Sequence, residues 1–274
     1  MHEAVELSAA DPVKRTVARG LALDPMLTAL ELSAANPVAQ RLASTVLSVW
    51  RVSLARMSTY VLLPGAASDS RYWRLVVPGL RAHGHDVITP DLPCEDDSAG
   101  FEEYADVVVA AVRGYRDLVV VAQSMAGFTA PIVATRVPVS QIVLVNAMVP
   151  VAGETGDQWW RTSGSSAAMR ANDEAHGRDP NREFDPVEVF LHDIPEELWD
   201  DPLDQSGTPF EKPWPLERWP DVPTRAVASS GDRLFPIGFQ RELLRERLGI
   251  SPVEIAGGHL PALANPEELV RALL

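Results

Sequence analysis

The 274-residue sequence predicts an α/β fold: a mostly parallel sheet flanked by helices, with one helical insertion. Three observations predict it. From Thr59 onward, short apolar runs alternate with stretches of helical spacing, the pattern of strands joined by crossover helices. The runs are rich in Val, Ile and Leu and lack polar alternation, which suits a sheet buried on both faces. The alternation breaks only once, between Pro150 and Pro220.

Taken in chain order, the strand candidates are "TYVLLP", "HDVITP", "DLVVVA", "QIVLVN", "TRAVASS" and "VEIAG". Helical spacing between and after them predicts helices over 71–82, 101–113, 125–136, 236–247 and 266–273. Residues 57–149 and 220–274 therefore form the α/β core, and 150–219 reads as an inserted lid. That insertion holds Trp159, Trp160, Trp199, Trp214 and Trp219, and sixteen acidic against six basic residues give it a charge of −10. A solvated outer face explains this charge more simply than selection of cationic substrates. The tryptophans suggest an aromatic or alkyl pocket, although each one alone fits the core of the lid as well.

Residues 1–56 differ from the rest. "ELSAADPV" recurs there as "ELSAANPV", each copy with an Asp-Pro or Asn-Pro pair placed to start a helix. Met57 directly precedes the first strand, so 1–56 reads as an N-terminal extension outside the fold, with a helical docking arm as the alternative.

The single cysteine, Cys94, excludes an internal disulfide framework and a Cys-based zinc site, and points to a cytoplasmic location. A formal charge of −14 works against binding to nucleic acid or to an anionic membrane, since both are polyanions. No apolar run is long enough to span a bilayer. Neither a Walker-type loop nor a G-x-G-x-x-G is present, and no cofactor or metal is called for.

The chemistry turns on "AQSMAG". A serine hydroxyl needs a base, a group to orient the base, and donors for the oxyanion it creates. At a strained strand-to-helix turn, only small residues fit two positions either side of the nucleophile; Ala122 and Ala126 flank Ser124 there, and Gly127 gives further room. A serine at such a place also serves as an ordinary helix cap, so the motif is decided by its context. Asp232 follows the strand "TRAVASS" and His259 follows "VEIAG", giving the order Ser, Asp, His, each in a loop after a strand. Among the rivals, His2 lies in the extension, His83 and His85 sit at the wrong end of their strand, and His176 and His192 are in the insertion. Asp91, also after a strand, is the strongest competitor of Asp232.

With these residues in place, Thr59–Leu274 resembles an α/β-hydrolase of the branch holding plant methyl-ester esterases, of the salicylate and jasmonate types, and the hydroxynitrile lyases. The likeness rests on "YVLLPGAASDSRYWRLVVPGLRAHGHDVITPDLP", "AQSMAG", "GDRLFPIGFQREL" and "GGHLPALANPEEL". It implies Ser124 as nucleophile, His259 as base, Asp232 as its orienter, and the backbone amides of Ala66 and Met125 as oxyanion donors. Pro64-Gly65 and Ala122-Gln123 depart from the usual His-Gly and Gly-His without removing any of these groups. Leu260 stands where the lyases carry lysine, and only Lys14 and Lys212 occur in the chain, which disfavours lyase chemistry.

The expectation is a carboxylesterase acting through an acyl-enzyme on a small, neutral, partly apolar ester; a homodimer is compatible with the chain. Amide or carbon-carbon bond hydrolysis, perhydrolysis, or a non-catalytic ligand-binding role on the same fold stay open.

Overall fold

The computed structural model describes residues 57–274, so the expectations for 1–56 lie outside the described residues. All six predicted strands form: β1 (Thr59–Leu63), β2 (Asp86–Ile88), β3 (Leu118–Gln123), β4 (Val139–Val145), β5 (Thr224–Ser229) and β6 (Val253–Ile255). They make one sheet of order β2-β1-β3-β4-β5-β6. Every pairing in it is parallel.

Alternating side chains divide each strand between two cores. In β1, Val61 and Leu63 join one core while Tyr60 and Leu62 join the other; in β3, Val120 and Ala122 oppose Val119 and Val121. On the first face pack two helices, α1 (Phe101–Ala111) and α2 (Ala126–Arg136), through Tyr104, Val108, Phe128 and Ile132. The second face is covered by Trp73 and Leu80 and by the C-terminal helix Pro266–Leu273, through Leu269, Val270 and Leu273. Truncating a fully buried ring such as Phe128 or Trp73 to alanine would cost about 3–5 kcal/mol.

The single helix expected over 71–82 is in fact a 3-10 turn, Ser70–Trp73, followed by a short helix, Val77–Ala82. Pro78 explains the break. It has no N–H to donate back to Arg74, yet it suits the first turn of a new helix.

Between β4 and β5 come α3 (Gly156–Thr162), α4 (Ser165–Ala175), a π-helical turn (Val187–Leu191) and α5 (Thr208–Glu211). Thr155 and Gln158 form a capping box that starts α3. After β5 runs α6, Ile237–Leu248, and after β6 the short α7, Pro261–Ala264. Among the described residues no helix is long and apolar enough to cross a membrane.

Strand register aligns the loops that carry the candidate catalytic residues. Leu63 pairs with Ala122, Gln123 with Val145, Val145 with Val227, and Ser229 with Ile255. The C-terminal ends of β1, β3, β4, β5 and β6 therefore lie along one edge, where open parallel sheets place their binding crevice.

Candidate active site

Ser124 directly follows β3 with φ +51, in the left-handed region that a non-glycine residue occupies only under constraint. The constraint is visible: its N–H donates to Val145 O at 3.1 Å, while its carbonyl accepts from Gly127 N at 3.1 Å and Met148 N at 2.9 Å. Ala122 and Ala126 are fully buried, as the smallness argument requires. The glycine that the turn cannot replace is Gly127, where a Cβ would fall 1.8 Å from Met148 O. At Gly65 a Cβ would lie 2.2 Å from Gln123 Oε1, the end of a side chain, and 3.0 Å from Ser124 Cβ, so glycine is favoured there less strictly.

The three side chains proposed from sequence come together. His259 Nε2 lies 3.0 Å from Ser124 Oγ, and His259 Nδ1 lies 2.8 Å from Asp232 Oδ2. With Nδ1–H donating to the carboxylate, Nε2 is the nitrogen that accepts the serine hydroxyl. Asp232 and His259 are buried, and the second oxygen of Asp232 accepts from Leu234 N at 2.8 Å and Phe235 N at 2.9 Å. Phe235 and Phe190 flank the imidazole with ring centroids 5.2 Å and 5.4 Å away.

Ala66, in the loop after β1, lines the same cavity as Ser124, and Met125 follows the serine at the N-cap of α2. Among the described residues neither backbone amide donates to a protein acceptor, whereas the neighbouring Ala67 N–H bonds Gln205 Oε1 at 3.1 Å. The N-terminal dipole of α2 adds favourable potential for an anion there.

Several supporting residues went unread in the sequence. Gln123 Nε2 donates to His259 O at 3.2 Å, and Asn146 Nδ2 donates to the same carbonyl at 3.1 Å. Asn146, at φ +44, also bonds Ser229 Oγ and accepts from Ser229 N. Gln240 Nε2 joins Asn146 Oδ1 and Asp232 Oδ2, each at 3.3 Å. From the insertion, Asp193 Oδ2 accepts Gly258 N–H at 2.5 Å, one residue before His259. The only sequence signal was a polar residue ending an apolar strand, as Asn146 ends "QIVLVN".

The rivals are elsewhere. Asp91 accepts from Ser70 N at 2.8 Å, His85 accepts from Ser58 N, and exposed His176 bonds Asn172 O within its own helix. His192 is largely buried beside Asp193, and burial holds its pKa below the usual imidazole value.

Ser124 and His259 open onto a cavity of about 350 Å³. Its walls are mostly apolar, with Tyr72, Leu260 and Leu263 from the core and Pro186, Phe190 and Leu191 from the insertion. Burial pushes the Tyr72 phenol well above its ordinary pKa, so it faces the cavity uncharged. Of the three acids lining it, Asp69 pairs with Arg71 at 2.9 Å and Asp200 with Arg74 at 2.5 Å, while Asp201 makes no ion pair among the described residues. None of the described tryptophans forms this wall; Trp159 and Trp214 are core residues, donating to Val149 O and Phe128 O.

A strained serine hydrogen-bonded to a buried imidazole at the mouth of an apolar cavity has the layout of an esterase-like hydrolase. Sequence comparison places the chain more narrowly: the profile of the alpha/beta hydrolase family matches residues 60–272, and the chain belongs to that family. A relative from Sphingobium wenxiniae, a pyrethroid hydrolase, is 26% identical over 239 residues, covering 78% of this chain and 85% of its own. Solved structures share the fold. An extracellular α/β-hydrolase from a Paenibacillus species, described as homologous to tobacco salicylic acid binding protein 2, superposes with a TM-score of 0.61 at 19% identity, covering 79% of this chain and 97% of that one. Polyneuridine aldehyde esterase superposes with a TM-score of 0.63 at 18% identity, covering 80% and 98%. At these identities the likeness is one of fold.

Proposed function

We propose that the chain hydrolyses small, neutral, partly apolar carboxylic esters through an acyl-enzyme on Ser124. The observation that carries the reading is the unbroken path Ser124 Oγ, His259 Nε2, His259 Nδ1, Asp232 Oδ2, with contacts of 3.0 Å and 2.8 Å, beside an apolar cavity. His259 takes the Ser124 proton as Oγ attacks the carbonyl carbon, and Asp232 holds the imidazole and offsets its positive charge. The amides of Ala66 and Met125 receive the oxyanion; one such donor is worth roughly 10²–10³ in rate. His259 then protonates the departing alcohol, and later deprotonates the water that releases the acid.

In this reading residues 150–219 act as a lid over the site, since Pro186, Phe190 and Leu191 furnish its outer wall. Leu260 lies in the cavity wall, while Lys212 Nζ lies near Ser98 O and Glu103, so no described lysine serves lyase chemistry.

The test is a panel of esters varied in acyl and alcohol parts, a pyrethroid among them because of the relative's activity, run on wild type and Ser124→Ala. Hydrolysis by wild type with a loss on the order of 10⁶-fold in kcat in the variant is expected. Labelling by a fluorophosphonate should likewise vanish. A variant that keeps its rate defeats the mechanism, and a wild type inert toward both esters and label favours a ligand-binding role.

A further inference from the structure

A second cavity, of about 270 Å³, adjoins the first, and Phe190 lines both. Its other walls include Trp160, Met169, Phe184 and Leu234, with Ser165 among the polar residues. The Phe190 ring stands 5.4 Å from that of His259 and 6.0 Å from that of Phe184, so it lies between the imidazole and the second chamber.

Three features suggest that this chamber takes a ligand. Phe190 sits on the π-helical turn Val187–Leu191, a rare backbone form concentrated at functional sites. Ser165 is 1% exposed, and its hydroxyl has no partner among the described residues, so the chamber wall contains a buried polar group still able to bond. At the far side, Phe184 is 54% exposed, an apolar side chain left at the surface where the chamber reaches it. Met169 adds a wall that adapts its shape to different occupants.

The proton path decides which half of an ester would enter. His259 must deliver its proton to the leaving oxygen, so the alcohol half lies on the His259 side of the scissile bond, and Phe190 packs on that imidazole. We propose that the second cavity is a subsite for the alcohol half of extended apolar esters, with Phe190 as the gate between it and Ser124; this rests on the esterase reading. Short alcohols react without it. A long alkyl or aryl alcohol displaces Phe190 and occupies the chamber.

Two experiments test it. In the first, acetates of alcohols from ethyl to dodecyl are compared with ethyl esters of acids over the same lengths, on wild type, Phe190→Ala, Phe190→Leu and Met169→Trp. Phe190→Ala should raise the long-to-short kcat/KM ratio of the alcohol series by about tenfold or more, and Met169→Trp should lower it by about as much. The acyl series should move by less than about threefold. Ratios that stay level, or a response confined to the acyl series, overturn the assignment; Met169→Trp and Phe190→Leu decide it if Phe190→Ala does not fold. The second needs no turnover. A bromoalkanol should saturably quench tryptophan fluorescence in wild type and Ser124→Ala, and Trp160→Phe should remove that quenching. Absence of Trp160-dependent quenching overturns the subsite, whereas loss of Ser124-dependent turnover with quenching intact overturns only the esterase reading.

Discussion

Gly127 sits three residues after the nucleophile candidate, and the backbone of Met148 passes so close that a Cβ would fall 1.8 Å from its carbonyl oxygen. That contact cannot relax easily, because Met148 N–H is itself bonded to Ser124 O at 2.9 Å. Gly127→Ala should therefore destabilise the protein by about 1–3 kcal/mol and lower kcat/KM through Ser124, while Ala126→Gly should cost under about 1 kcal/mol. Guanidinium denaturation with ester kinetics on both variants checks this; equal effects would mean that the turn tolerates a methyl group. Smallness around Ser124 was legible in "AQSMAG", since it is a local demand. Where the glycine itself is indispensable was not, because Met148 arrives from the end of another strand. The same reason hid Asn146 and Gln240, whose amides meet Ser229, His259 and Asp232 only after folding. Ser124, Asp232 and His259 could be put forward as candidates because each follows a recognisable strand, and Asp232 was preferred to Asp91 because its strand immediately precedes the one before His259.

The elements were legible where apolar runs are continuous. Each of the six strands lies in or overlaps its predicted run, whereas 71–82 split at Pro78 because a missing N–H outweighs helical spacing. The π-helical turn was invisible, since Phe190 looks like any apolar residue in an acidic insertion. His192 comes directly after this turn, with Asp193 beside it and Gly258 packed against both. Burial lowers the folded pKa of His192, with Arg233 acting in the same direction and Asp193 opposing it. A histidine with a depressed folded pKa prefers to be neutral in the native state, so its stabilisation is present above the unfolded value of about 6.5 and is lost as pH falls through the folded one. Stability should thus decline below about pH 6.5, and His192→Gln should flatten that part of the profile. Chemical denaturation of both proteins between neutral and mildly acid pH measures it; parallel profiles would mean that His192 does not drive the decline. The decline should also be accompanied by loosening of the loop before His259, because Asp193 holds Gly258 N–H from the same segment.

At the scale of the whole chain, the described residues 57–274 contain a six-stranded sheet, a core on each of its faces and the groups described around Ser124. The family match begins at residue 60 and ends at 272, within the described residues. Residues 1–56 also stand apart in charge, at +1 against −15 for the remainder by count of Lys and Arg against Asp and Glu. We propose from this that residues 1–56 contribute little to the fold; a domain's stability resides in its own buried core, so their removal would leave the unfolding transition where it was. A chain of residues 57–274 should therefore fold, with a thermal midpoint within about 4 °C of the full-length protein, a shift that corresponds to roughly 1–2 kcal/mol at this size. Its kcat/KM toward the best ester of the panel should stay within about threefold, under one kcal/mol of transition-state stabilisation. Calorimetry and ester kinetics on the two chains measure both quantities. A large fall in the midpoint with kinetics preserved would instead identify 1–56 as a docking arm that stabilises the fold, and a fall in kcat/KM alone would place part of the extension at the substrate cavity.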